Sequence, residues 1–386
     1  MSATPFDLEL GEFNILEMLS EDIVSPVNEF GTESLAHLIK TNPGKNIMIS
    51  PWAASECLAL LRMGSRGETE SVLGRFLRQE LPPDEAALNL RQVRKTIAHL
   101  IAQDKFRLAT GIWSREGTHI DGAFKAQAKE YFDAEVRETV FPEPGLTEIN
   151  SFVSDQTRGK IRSLPYSLHA ETEVVLITAV NFLDQWMFPF EERQTTLKDF
   201  FGQDGEVKEV PTMFQWNQFG YGENEAYQCL QIPYLSRLSM LFVLPKHGVT
   251  FDEILQRENV TGEARESLRY GMGSVYLPKW QSKFAWDMKK SMIEDGAGIC
   301  FERMKSDFSN MTDVPLVIDQ VRQETYIRVD EAGTEASAIV EAGMALGGIE
   351  PQPFEFRADR PFAYFICSPA GVNFFAGIVN DPTSGG

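Results

Sequence analysis

Positive charge is scarce in this chain. Its 386 residues include 36 basic and 56 acidic ones, for a net charge of −20. Nucleic acid and anionic membranes both require basic surface, so neither is expected as a partner, and the acidic excess serves solubility. Cysteine is sparse as well. Cys57, Cys229, Cys300 and Cys367 stand singly, with no CxxC pair and no histidine at ligand spacing, which leaves buried or idle free thiols and no metal or other cofactor. No apolar run approaches the roughly 20 residues that a spanning helix needs. The first residues, MSATPFDLELGEFNILEML, have no basic region and no uninterrupted apolar stretch, so they do not read as a secretory signal. A cytoplasmic location is expected, or an extracellular one if a leader has been removed. The five histidines form no HExxH, and neither a GxSxG elbow nor a GxxxxGK[ST] loop occurs. Gly271-Met272-Gly273 lacks the strand-to-helix setting of a nucleotide fingerprint. The chain is therefore not expected to be an enzyme.

What is present is ample apolar content, 43%, in an order that reads as one α+β domain with helices early and strands late. Residues 1–24 read as an extension. A helical pattern starts at Ser25 and stops at Asn42-Pro43-Gly44. A short strand over 46–49 runs into Ser50-Pro51, an N-cap followed by a proline in the first turn. The helix this opens closes at Gly64, and another begins at Gly67. Residues 84–104 predict a single helix with Arg91, Arg94 and Lys95 on one side, read as a solvated face rather than a polyanion site. Residues 108–113 predict a strand, and 120–132 and 149–158 predict helices. Residues 173–183 are a near-continuous apolar run, as in a strand covered on both faces. Later strands are expected at 226–232, 238–244, 275–278 and 284–286, with a closing hairpin of 362–366 and 374–379.

One stretch stands apart. Residues 329–350, VDEAGTEASAIVEAGMALGGIE, are small and bland, with no proline before Pro351. As a helix, Ala336, Ile339, Val340, Gly343 and Met344 share a face. As a strand, Thr334, Ala336, Ala338, Val340, Ala342 and Met344 share one face, and Glu335, Ser337, Ile339 and Glu341 the other. Alanine and glutamate favour helix intrinsically, so the pattern alone leans to helix or flexible linker.

Seven segments in order resemble those of the serpins. They are Asn46-Ile47-Met48-Ile49-Ser50-Pro51, Met63-Gly64-Ser65-Arg66-Gly67-Glu68-Thr69, Asn181-Phe182 with Trp186 and Pro189-Phe190, Leu277-Pro278-Lys279-Trp280, Glu331-Ala332-Gly333-Thr334-Glu335-Ala336, the run from Phe356 to Phe362, and Phe375-Ala376-Gly377. The resemblance covers 25–382 and implies three β-sheets, eight or nine helices and an exposed reactive loop at about 331–355. It implies a suicide substrate for a serine or cysteine protease. The cleaved loop would insert into the main sheet with the protease still acylated to it. A monomer is expected, with polymerisation as a side route. The hinge would comprise Glu331, Gly333, Thr334, Glu335, Ala336, Ser337 and Ala338. Counting along it as the family does places the scissile bond at Gly347-Gly348, with Leu346 and Glu350 as rivals. No Lys or Arg lies between Val329 and Phe356, so the target would be non-tryptic, elastase- or chymotrypsin-like. The sheet-opening region would include Ser50, Asn181, Trp186, Lys279 and Gln323. Ser50, Asn181 and Gln323 are expected to form a polar cluster, and Lys279 to pair with Glu331. Two departures stand out. Ala53 replaces a second serine, and Gln323 replaces a histidine, so the cluster lacks a titrating member. The alternative is a non-inhibitory serpin serving as chaperone, carrier or storage protein, which would favour bulky, charged or proline-bearing hinge positions that this chain lacks.

Overall fold

The computed structural model describes residues 19–203, 205–257, 259–334 and 353–385. Ten α-helices lie among them: α1 (Glu21–Thr41), α2 (Pro51–Met63), α3 (Gly67–Phe76), α4 (Pro83–Thr96), α5 (Ala98–Ala102), α6 (Gly122–Phe132), α7 (Gly145–Gln156), α8 (Phe251–Leu255), α9 (Val260–Ser267) and α10 (Met288–Glu294). Capping decides several boundaries. The Ser50 side chain accepts from the Ala53 amide at the start of α2, and the Asp121 carboxylate accepts from Ala123 and Phe124 at the start of α6. These bonds satisfy amides that a helix cannot pair internally. All 13 residues of α2 are buried, so this helix is central rather than amphipathic.

The strands are β1 (Ile47–Ile49), β2 (Phe106–Arg115), β3 (Glu135–Thr139), β4 (Val174–Phe182), β5 (Asp184–Gln185), β6 (Thr196–Phe201), β7 (Val207–Glu223), β8 (Tyr227–Pro233), β9 (Ser239–Pro245), β10 (Arg269–Pro278), β11 (Trp280–Asp287), β12 (Ile318–Asp330), β13 (Gly333–Thr334), β14 (Phe354–Arg357), β15 (Phe362–Cys367) and β16 (Asn373–Val379). They gather into two hydrogen-bonded networks where three sheets were expected. The reason is β7, whose 17 residues pair with β6 and β10 along most of their length and with β8 at the far end. One ribbon thus joins what would otherwise be two sheets into nine strands.

The other network holds seven strands, with β3, β2, β4 and β12 side by side and β11 beyond. Every residue of β4 is buried. Val174, Leu176, Val180 and Phe182 face the main core with α2, whereas Val175, Ile177 and Ala179 face a second cluster of Trp113, Ile149 and Val153, joined by Ile161, Leu164 and Leu168. So α7 and the segment 157–173 cover the outer face of this sheet.

The structure revises several local readings. The helix expected over 84–104 breaks at Ile97. Arg94 does not lie on a solvated face. It donates to the Glu56 carboxylate at 2.5 Å and to the Phe132 carbonyl. Glu56 is fully buried, which pushes its carboxyl up to about 7 even with Arg94 opposing the shift. The four cysteines are free and buried, as expected, and burial pushes the Cys300 and Cys367 thiols up to about 12.

Candidate functional site: the hinge of the central sheet

The central seam joins β4 and β12 in parallel, with paired positions from Ile318 opposite Val174 to Tyr326 opposite Asn181. Beyond Tyr326 the strands part, and β13 fills the gap. Thr334 pairs with Val329 on one side and Asp184 on the other, and Gly333 with Asp330 and Gln185, all antiparallel. Only glycine suits position 333. Its φ is +147°, and a Cβ there would lie 2.2 Å from the Asp184 carbonyl oxygen. Thr334 is fully buried, with its hydroxyl 2.6 Å from the Tyr234 hydroxyl.

Three contacts fix the turn into β13. Trp186 stacks on Tyr234 at 4.4 Å, and its indole donates to the Asp330 carbonyl. The backbone amides of Trp186 and Phe190 donate to the carbonyls of Ala332 and Glu331. Finally, Lys279 Nζ lies 2.7 Å from Glu331 Oε2, while Thr195 Oγ1 donates to Oε1 at 2.6 Å. Lys279 sits between the end of β10 and the start of β11, so the ion pair ties the hinge to the crossing between the two networks. Burial opposes ionisation of Glu331, but the hydrogen bonds from Lys279 and Thr195 outweigh it and hold the carboxyl below its ordinary value. This contribution is present above the ordinary glutamate pKa and is lost as pH falls through the depressed one. With the Glu331 side chain 9% exposed, Lys279→Ala leaves a half-satisfied buried carboxylate. The expected cost is about 1–3 kcal/mol, read as a Tm lower by about 1–4 °C. An unchanged Tm and unchanged inhibition kinetics would reduce the pair to a surface contact.

Lower down, Ser50 and Gln323 embrace. The Ser50 amide donates to Gln323 Oε1 at 2.7 Å, and Gln323 Nε2 donates to the Ser50 carbonyl at 3.0 Å. The Ser50 hydroxyl donates to Phe374 O, and Thr325 Oγ1 to Met48 O. These bonds clasp β12 to β1, α2 and β16. Asn181 does not join them. It follows Val180 and precedes Phe182, both of which face the main core, so it points to the opposite side of the sheet. Neither of its buried amide atoms has a hydrogen-bond partner among the described residues. The residue in register with Gln323 is Thr178, whose hydroxyl accepts from Thr110 at 3.2 Å. Sequence reasoning missed Thr178, Thr110 and Tyr234. The near-continuous apolar run 174–182 has no alternation to say which face Thr178 takes. No local pattern marked Tyr234.

Of the expected site residues, Ser50, Trp186, Lys279, Gln323, Glu331, Gly333 and Thr334 lie along this seam. Glu335, Ala336, Ser337 and Ala338, the bond Gly347-Gly348 and its rivals Leu346 and Glu350 lie outside the described residues. Among the described residues, no cluster of His, Cys, Asp and Glu could hold a metal ion, and no helix is long and apolar enough to cross a membrane.

A family model described as Serpin (serine protease inhibitor) matches residues 25–382. An uncharacterized serpin-like protein of Methanosarcina mazei is 28% identical over 360 residues, which cover 89% of this chain and 84% of that one. Glia-derived nexin of Rattus norvegicus is 28% identical over 372 residues, 92% of each chain. Among solved structures, native protease nexin-1 with heparin aligns at a TM-score of 0.80 and 26% identity, over 92% of this chain and all of that one. Human thyroxine-binding globulin aligns at 0.84 and 23% identity, over 97% and 100%, a likeness of fold. By the match of the family model to nearly its whole length, this chain belongs to the serpin family.

Proposed function

We propose that the chain is a protease inhibitor, not an enzyme, and that it acts as a monomeric suicide substrate. One observation carries this reading. The strand Gly333–Thr334 already occupies the mouth of the β4–β12 seam, antiparallel to its neighbours on both sides. The residues that follow it in sequence are small and free of proline. After the protease's serine or cysteine has been acylated by the loop, continued pairing from Thr334 onward would draw that segment between β4 and β12. About 15 residues would span roughly 50 Å. Some ten ladder bonds at about 1 kcal/mol net each would supply on the order of 10 kcal/mol. The absence of Lys and Arg from 329–356 favours elastase- and chymotrypsin-like targets over tryptic ones.

The test is incubation with elastase-, chymotrypsin- and trypsin-like proteases. An SDS-resistant complex is expected with a member of the first two groups and none with the third. Limited cleavage within 335–352 should raise Tm by roughly 10 °C or more. Clean cleavage by the whole panel, with neither a complex nor a stability gain, would instead support a non-inhibitory carrier, chaperone or storage role.

A further inference from the structure

Five of the six tryptophans, at 52, 113, 186, 280 and 286, are buried to 3% exposure or less, whereas Trp216 is 50% exposed. Tyr270, at 68%, is the most exposed aromatic residue among those described. The two lie on one sheet face. Trp216 on β7 pairs with Ser274 on β10, and Tyr270 pairs with Gly220. Successive side chains alternate across a strand, so Phe214, Trp216, Tyr270 and Tyr276 share the outward side. Met213, Phe219, Val275 and Leu277 fill the core beneath them. Phe214 and Tyr276 have ring centroids 4.9 Å apart. Arg357 lies 4.0 Å over the Tyr276 ring and pairs with Glu355 at 3.2 Å. The Arg357 guanidinium is therefore engaged within the patch, and the face offers aromatic surface with indole and phenol donors.

The outer strand of this face is β14, parallel to β10. There the chain returns from the bait segment. Trp216, Ser274 and Glu355 form one row across three strands, so Trp216 is roughly 10 Å from Glu355 at ordinary strand spacing. Gly348 precedes Phe354 by six residues, which reach at most about 22 Å. A protease domain of roughly 200 residues has a radius of gyration of about 16 Å. Held at Gly347-Gly348, it is wide enough to overhang the patch.

We infer that the outward face of β7–β10–β14, centred on Trp216 and Tyr270, is a second docking surface for the protease engaged on the bait segment. It would receive an apolar rim of the protease cleft carrying hydrogen-bond acceptors. Exposed tryptophan and tyrosine give large contact area with a polar handle, the combination found at binding hot spots. The inference rests on the inhibitor reading, and its test separates the two.

Trp216→Ala, Tyr270→Ala and the double variant are compared with wild type, using an elastase- or chymotrypsin-like protease that wild type traps. The second-order association rate should fall about tenfold for each single variant and up to about a hundredfold for the double. Tm and the fraction of encounters ending in complex should not change. A form of that protease with its nucleophilic serine replaced by alanine should bind the double variant correspondingly more weakly. Equal rates and equal binding would overturn docking while leaving the inhibitor reading intact. If wild type is only cleaved, the inhibitor reading fails, and the same variants then slow cleavage if docking is right or leave it unaltered if it is wrong. A wild-type dimer in sedimentation that the double variant dissociates would assign the patch to self-association and overturn the proposal.

Discussion

Thr334→Arg abolishes trapping: a protease that wild type captures should cleave the variant and leave, with complex yield falling at least tenfold. The slot that Thr334 occupies is fully enclosed, flanked by Val329 and Asp184 and capped by the Tyr234 hydroxyl at 2.6 Å. A threonine fits because its one polar group finds one polar partner. A guanidinium there lacks both the space and a free acceptor. Burying it unpaired costs several kcal/mol, a large share of the roughly 10 kcal/mol available to pull in the rest of the strand. On the proposed mechanism insertion should then stall at its first step, with the acyl bond hydrolysed before the protease is displaced. Thr334→Ser keeps the hydroxyl and should trap at near wild-type yield. Thr334→Val removes only one hydrogen bond, worth about 1 kcal/mol with a further penalty for the orphaned Tyr234 hydroxyl, and should fall between. Gel quantification of SDS-resistant complex against cleaved inhibitor reads all three. Full complex yield from Thr334→Arg would show that insertion does not pass through this slot.

Raising the pH from 4.5 to 8 should cost wild type stability that Glu324→Gln retains. Glu324 lies on β12 between Ala179 and Ala285, is 3% exposed, and has one carboxyl oxygen without a hydrogen-bond partner among the described residues. It faces outward, beneath the segment 157–173, where the Tyr166 hydroxyl also lacks a partner. Arg322 lies 4.6 Å over the Tyr166 ring but is engaged with Asp287 at 3.0 Å and with Gln320. Burial therefore pushes the Glu324 carboxyl up from an ordinary 4.5 to about 8, with Arg322 opposing only in part. The folded protein holds this proton where the unfolded chain has released it. The Glu324 contribution is fully present below pH 4.5, is lost as pH rises to about 8, and then levels off. The total is on the order of several kcal/mol, so at pH 8.5 the glutamine variant should melt roughly 5 °C higher. Its profile should be shallower rather than flat, because Glu56 is pushed up to about 7 and slopes the same way. Glu56→Gln is no substitute control, since it strips the half-buried Arg94 of its carboxylate partner. Parallel melting profiles for wild type and Glu324→Gln would refute the assignment.

Local chemistry was the most legible part of the sequence. Ser50 declares itself as a cap because capping needs only the next three residues. The run 173–183 declares itself as a doubly covered strand because, after Glu173, four apolar residues follow one another without a polar break. Gly333 and Thr334 were located through resemblance, since their own pattern fits helix as well as strand. Asn181 illustrates the limit. Placing it near Ser50 requires the right parity along β4, and a three-residue difference from Thr178 reverses the face. The strand β7 went unread because Glu, Gln and Asn interrupt it and its burial follows no clean alternation. The Arg94–Glu56 pair bridges two helices, and nothing in either helix alone reports the other.

The parallel seam has a further consequence. It pairs β4 with β12, strands from opposite halves of the chain, while β12 and β13 are immediate neighbours. Contacts between neighbours in sequence close quickly, and parallel pairing of distant segments closes slowly. Folding is thus a contest in which the slower entrant has to finish first. On the reading proposed above, a hairpin that lengthened past Thr334 before β4 arrived would take the place beside β12 that β4 holds in the seam. What biases the order of closure among the described residues is the lodging of Gly333 and Thr334 against Asp184, Trp186 and Tyr234.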